Sequence, residues 1–186
     1  MEKEMGKGQP HRIAITGPES TGKTVLCRQL AAYFHEPWVP EYSREYLNSL
    51  SGKREYGYDD ILAIARGQYN RETAMLQQAN EMLFCDTDFM VTHIWGLVKY
   101  GKSHEWIRRM AKEKPYDYTL LCDIDLPWEY DPLRENPGDR SPLFHIYVEQ
   151  LTLYKIPFSI VSGTGEERLR NAVQHLYRQG IGKVTG

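Results

Sequence analysis

The chain has 186 residues, 41% of them hydrophobic and 26% charged, enough to bury the core of one domain and cramped for two. Lysine and arginine number 23 against 25 acidic residues, a formal net charge of -2, and the only basic neighbourhood is Arg108-Arg109 with Lys112 to Lys114, so nucleic acid is not an expected partner. No apolar stretch approaches the ~18 to 20 residues of a membrane span, and residues 1–10 are polar rather than the apolar core of a signal peptide, which predicts a cytoplasmic protein with a flexible N-terminal tail.

The first element carries the strongest signal. Ile13-Ala14-Ile15 is a short apolar run, and it leads into Thr16-Gly17-Pro18-Glu19-Ser20-Thr21-Gly22-Lys23-Thr24-Val25. The spacing fits G-x-x-x-x-G-K-[ST], in which glycines let backbone N–H groups close round phosphate oxygens. In that pattern Lys23 reaches the β and γ phosphates of ATP and the Thr24 hydroxyl binds Mg²⁺. Residues Leu26, Leu30 and Phe34 recur at helical spacing after the loop, so the strand and the helix that the motif requires are both legible.

Trp38-Val39-Pro40 predicts a short second strand, at an edge because of its proline. It ends at Glu41-Tyr42-Ser43-Arg44-Glu45. Residues 47–58 predict a loop, and Asp59 or Asp60 a cap for a long helix to about Asn80 with Ile61, Ala65, Tyr69 and Leu76 on its apolar face. Met82-Leu83-Phe84-Cys85 followed by Asp86-Thr87-Asp88 reads as a buried parallel strand with acids at its carboxyl end. Helical stretches over 89–100 and 103–112 precede a fourth strand, 118–122. The segment 123–140, rich in Pro, Asp, Arg and Gly, predicts a lid-like mobile loop. Ser141-Pro142 looks like an N-cap and first turn, opening a helix to about Tyr154. A fifth strand, 158–161, is closed by Ser162-Gly163-Thr164-Gly165, and a last helix covers 166–179.

Strands alternating with helices predict an α/β three-layer sandwich, a five-stranded parallel sheet covered by helices on both faces, of the P-loop NTPase type. Ligands of such sheets bind at the carboxyl ends of the strands. That rim gathers the phosphate loop, Glu41 to Arg44, Asp86 to Asp88, 123–140 and the nucleotide-side residues Ser162 and Gly163. Asp86 is the Walker B-like acid expected to hold Mg²⁺ with Thr24, while capping of the next helix suits Asp88 better. Thr87 follows Asp86 where ATPases of the AAA type place a water-activating Glu, and the D-x-x-G and N-K-x-D patterns of guanine-nucleotide switches are missing, which points away from motors and switches.

Glu41 is placed to take a proton from a substrate hydroxyl, with Tyr42 and Arg44 beside it, although a surface Glu/Arg helix pair reads the same way. Arg134 and Arg140 are candidates for closing on the transferred phosphoryl group, solvated loop arginines being the alternative. The aromatics Trp38, Tyr42, Tyr46 and Trp95 could stack on a flat ring or belong to the core. The cysteines Cys27, Cys85 and Cys122 lack metal or disulfide spacing and predict buried thiols; of the six histidines only His93, seven residues after Asp86, is close enough in sequence to face the cleft.

These motifs together resemble the ribosylnicotinamide kinase domain of the NadR family. The resemblance runs from Ile13 to about Val173 and rests on Gly17 to Leu26, Glu41 to Glu45, Asp86 to Phe89, and Asp131 with Leu133-Arg134. It implies transfer of the γ-phosphoryl of ATP to the 5′-hydroxyl of nicotinamide riboside, a small nucleoside-like substrate, giving nicotinamide mononucleotide, and a sheet ordered 2-3-1-4-5. The acceptor contacts it implies are Glu41, Tyr42, Arg44, Asp86 and Asp88. Another nucleoside or small-molecule P-loop kinase, or an ATP-binding regulatory module without turnover, are the alternatives. In relatives the domain is often fused to an adenylyltransferase or a helix-turn-helix, neither of which fits before Gly17. Pro40 stands where relatives carry an aromatic beside the Glu41 position.

Overall fold

The structure, a computed structural model, describes residues 9–113, 115–130 and 139–182. Its centre is β1 (His11–Thr16), which pairs in parallel with β3 (Met82–Asp86) on one side and β4 (Tyr118–Cys122) on the other. Outside these lie β2 (Trp38–Val39) and β5 (Phe158–Val161), giving the order β2-β3-β1-β4-β5. The order expected from the resemblance is the order observed, and β2, with its trailing proline, is an edge strand.

The strand period of two sorts the side chains onto two faces. Ile13, Ile15, Phe84, Leu120 and Cys122 join a core covered by α1 (Lys23–Phe34) and α7 (Gly165–Arg178). Ala14, Leu83, Cys85 and Leu121 join a second core covered by α3 (Tyr58–Leu76), α4 (Phe89–Tyr100), α5 (Glu105–Glu113) and α6 (Ser141–Leu153). Both faces of the three inner strands are therefore dry, which explains their near-continuous apolar runs. The three cysteines are buried and unbridged, and burial raises each thiol's pKa.

Several boundaries differ from the sequence reading. Residues 42–50 form a helix, α2 (Tyr42–Leu50), where the end of a strand and a loop were expected. The long helix stops at Leu76, and its N-cap is Gly57: Asp60 lies in the first turn, accepts the Gly57 N–H at 2.7 Å, and holds Arg54 through both carboxylate oxygens. Its buried stripe is Ile61, Ile64, Ala65, Gln68 and Glu72, with Tyr69 and Leu76 only partly buried. In α6 the cap position belongs to Arg140, with Ser141 and Pro142 in the first turn. Residues 123–130 form neither helix nor strand. Arg134 and the rest of 131–138, like residues 1–8, lie outside the described residues. Among the described residues no helix is long and apolar enough to cross a membrane.

Candidate active site

The loop between β1 and α1 is shaped by two glycines. Gly17 has φ 134°, and a Cβ there would stand 3.0 Å from the Cys122 carbonyl oxygen at the end of β4. Gly22 has φ 74° and a Cβ would lie 2.8 Å from Leu126. Only glycine meets both demands, left-handed backbone and close approach. Lys23 Nζ donates to the carbonyls of Gly17 (2.9 Å) and Pro18 (2.8 Å), so the ammonium lies across the mouth of the loop where phosphate oxygens would take its hydrogen bonds. The loop opens α1 at its amino end, which adds the positive pole of the helix.

At the end of β3 the backbone bends sharply: Thr87 has φ 88°, an uncommon conformation for a β-branched residue. The bend separates the two acids. Asp86 turns to the phosphate loop, where Oδ2 accepts the Thr24 hydroxyl at 2.6 Å; Oδ1 is buried and has no hydrogen-bond partner among the described residues. Burial, opposed by the Thr24 hydrogen bond and reinforced by the charge of Glu41, pushes the Asp86 carboxyl up to about 6. A desolvated carboxylate with one orphaned oxygen beside a threonine hydroxyl is the donor set a hard divalent cation needs, so Thr24 and Asp86 fit Mg²⁺.

Asp88 turns the other way. Its Oδ1 accepts from the Thr16 hydroxyl (2.9 Å) and from Val91 N–H (3.0 Å), so it caps α4 and is closed off from an acceptor by being buried. Burial raises its carboxyl to about 6 as well. His93 also stays out of the cleft: it is buried between α4 and α6, with Nε2 3.2 Å from Gln150 Oε1, and desolvation lowers its pKa.

The phosphate loop floors a cavity of about 580 Å³ that continues past Glu41 and Arg44 to a wall of α4 residues, Val91, Ile94, Trp95 and Val98, faced by Leu143 and Tyr147 of α6. Every expected phosphate-loop residue from Glu19 to Val25 reaches it, as does Gly17. Glu41 Oε1 accepts the Ser43 hydroxyl at 2.6 Å and Oε2 lies 3.9 Å from Arg44 Nε, so the Glu/Arg pair is at once a helix-surface pair and part of the cavity wall. Of the four aromatics, Trp95 lines the cavity, its indole N–H donating to Tyr56 (3.2 Å). Trp38 packs on the α1 side of the core, and Tyr46 donates to Asp60 at 2.6 Å.

Tyr42 does not line the cavity. Its ring fills the space above Gly67 on α3 and lies 4.5 Å from the Arg71 guanidinium. Arg140, expected at the phosphoryl group, binds backbone instead: Nη1 donates to Ser20 O at 2.6 Å, and Nη2 to Ile124 O at 3.2 Å and to Leu126 O. Three of its five N–H donors go to these carbonyls, and it acts as a clamp between the phosphate loop and residues 124–126. Ser162 and Gly163 are likewise engaged with Asp123 and Asp125, and the β5 end reaches the cavity through Gly165.

Besides the apolar wall of Val91, Ile94, Val98, Leu143 and Tyr147, a charged residue of the site was not foreseen. Arg168, 4% exposed, donates to Asp125 Oδ1 (2.6 Å), Gly163 O (2.8 Å), Thr21 O (2.9 Å) and Asp123 O (3.1 Å), and so ties the phosphate loop to the ends of β4 and β5. The sequence signal is positional: with Ala172 and Leu176 it stands on the buried stripe of α7, where a charge demands partners.

A family model described as an AAA domain matches residues 12–168. The trifunctional NAD biosynthesis/regulator protein NadR of Escherichia coli K12 is 32% identical over 150 residues, 78% of this chain and 37% of that protein. A solved structure of NadR protein in complex with NAD and AMP-PNP superposes with a TM-score of 0.74 at 21% identity, over 96% of this chain and 51% of that one. Another, in complex with NR, gives 0.73 at 22% over 97% and 54%. A deoxyadenosine kinase from M. mycoides gives 0.63 at 13% over 90% and 99%. The chain thus spans about half or less of the NadR proteins it matches, and the structural likenesses establish a fold common to P-loop kinases.

Proposed function

Because the chain belongs to the AAA domain family of P-loop proteins and is homologous to a region of NadR, we propose that it is an ATP-dependent kinase whose acceptor is the 5′-hydroxyl of nicotinamide riboside. The observation that carries this reading is the single cavity in which the phosphate loop and Glu41 face the same space. A nucleotide pocket alone needs no carboxylate of this kind beyond its phosphates, whereas a kinase needs one to orient the acceptor hydroxyl. The NadR structure holding NR supports the choice of acceptor.

In this mechanism Lys23 and the loop amides hold the β and γ phosphates, and Glu41 holds the acceptor hydroxyl in line with the γ-phosphorus. The acceptor oxygen forms the new P–O bond as the bond to the β,γ-bridging oxygen breaks, ADP leaves, and the hydroxyl proton passes to Glu41 and then to solvent. Mg²⁺, for which Thr24 and Asp86 fit, supplies charge neutralisation at the phosphates when bound. Arg44, its Nε 3.9 Å from Glu41 Oε2, orients that carboxylate. Trp95, Val91 and Val98 supply the apolar wall for the remainder of the acceptor.

The test is product analysis after incubation with ATP, Mg²⁺ and a panel of nucleosides that includes nicotinamide riboside. Nicotinamide mononucleotide should form, and Lys23→Ala should lower its rate at least on the order of a hundredfold with the circular dichroism unchanged. Faster turnover of another nucleoside would reassign the acceptor and keep the kinase. ATP binding without turnover of any nucleoside would leave a regulatory module.

A further inference from the structure

Glu41 has to be held in place, and the means lies in the core behind it. The buried stripe of α3 runs from Ile61 through Ile64 and Ala65 to Gln68 and Glu72, so two polar side chains occupy positions where packing asks for apolar ones. Gln68 is 4% and Glu72 0% exposed, and polar groups so deep persist only with partners. Gln68 Oε1 accepts the backbone N–H of Tyr42 at 2.9 Å, and its Nε2 donates to Glu72 Oε1 at 3.0 Å. Glu72 Oε1 also accepts the Tyr116 hydroxyl at 3.1 Å, and Arg12 Nη1 lies 4.0 Å from Oε2.

The Tyr42 amide opens α2 and follows Glu41 directly. It is one of the first-turn donors that no helix carbonyl can take, and Glu41, at the cap position, makes no side-chain capping bond. Gln68 takes that donor in its place, and since the amide must be met by oxygen, the orientation of the Gln68 side chain is fixed. The residue before Gln68 adds a steric stop. A Cβ at Gly67 would stand 1.9 Å from Tyr42 Cε1, so the ring occupies the space that glycine leaves, with Arg71 over it. Residue 42 is clamped by backbone, ring and cation at once, and the carboxylate of residue 41 is left to face the cavity with Ser43 and Arg44.

We propose that Gln68 is a positioning residue for Glu41, acting through the Tyr42 backbone and anchored by Glu72. This rests on Glu41 being the acceptor-side carboxylate. An apolar residue at position 68 would pack α2 against α3 as well, but it would leave the Tyr42 amide, and with it the direction of Glu41, unfixed. A misplacement of about 1 Å at a reacting group can cost about a hundredfold in rate, so the polar chain has a kinetic reason to exist.

The experiment measures phosphorylation of nicotinamide riboside and, separately, ATP affinity, in Glu41→Gln, Gln68→Met, the double variant, and the swap Gln68→Glu with Glu72→Gln. Gln68→Met should lower kcat between about 10- and 100-fold with ATP affinity within about twofold of the parent. In the Glu41→Gln background it should lower kcat no further, because the residue acts through Glu41. The swap, which restores an acceptor for Tyr42 and a donor beneath it, should recover most of the rate. If Gln68→Met does not fold, Gly67→Ala, which displaces the Tyr42 ring, serves as the second probe with the same expectation. Parental kcat in the probe, or losses that multiply with Glu41→Gln, overturn the proposal while Glu41 stands. Undiminished turnover in Glu41→Gln overturns the reading of Glu41 itself.

Discussion

The Thr24 hydroxyl donates to Asp86 Oδ2 at 2.6 Å while the other oxygen of that carboxylate is buried without a partner among the described residues. Half of the group is satisfied by the phosphate loop and half is held ready for a cation, at a cost visible in its upward-shifted pKa.

Asp86→Asn should therefore separate catalysis from stability. Turnover at saturating ATP should fall on the order of a hundredfold and its Mg²⁺ dependence should shift to higher concentration, while ATP binding without Mg²⁺ stays close to that of the parent. Thermal stability of the ligand-free protein at pH 8 should be equal or higher, since a desolvated charge is replaced by a neutral amide. A parental Mg²⁺ titration would remove Asp86 from the metal site.

Arg168→Met should weaken the fold and the nucleotide site together. The substitution takes the Arg168 donor from the Thr21, Asp123 and Gly163 carbonyls and from Asp125 Oδ1, a loss of about 3 kcal/mol in urea unfolding. ATP titration should show weaker binding, because Thr21 belongs to the phosphate loop. Arg168→Lys should fall between the two, having no fork to span the sites. Unchanged unfolding would mean that the clamp contributes nothing.

Glu72 predicts a pH dependence. Burial, only partly opposed by the hydrogen bond from Gln68, the charge of Arg12 and the Tyr116 hydroxyl, raises its pKa from 4.5 to about 7, with Asp88 pushing the same way. The native state then holds a proton that the unfolded chain releases, so this group's contribution falls as pH rises from about 4.5 through 7. Glu72→Gln should flatten that slope. Relative to the parent it should gain about 3 kcal/mol between pH 4 and pH 8, read from denaturation curves at both. Parallel curves for the two proteins would place the Glu72 pKa at its ordinary value.

The strands and the phosphate loop were legible because their signals are local: apolar runs for strands buried on both faces, and two glycines whose spacing reflects one backbone shape. Helix α2 was not, since Tyr42 to Leu50 is short and polar and is held by packing on α3 rather than by propensity. The direction of Tyr42 depended on Gly67, and that of Asp88 on Thr16, partners 25 and 72 residues away. Residue type suggested a role for each, and tertiary contacts redirected both. Arg168, Gln68 and Glu72 left only the weaker signal of a polar residue on a buried stripe.

The placing of β1 between β3 and β4 bears on how the chain reaches its native state. Its neighbours are distant in sequence: the Arg12 amide meets Asp117 across 105 residues, and Thr24 meets Asp86 across 62. Gly17 is seated on the end of β4. Each such closure has to be made before the nucleotide loop has its shape, so the loop is completed late, as loop-closure entropy is paid strand by strand. Nucleotide therefore meets a finished site and cannot template it. It should slow unfolding by mass action on the native state and leave the rate of refolding as it is without ligand.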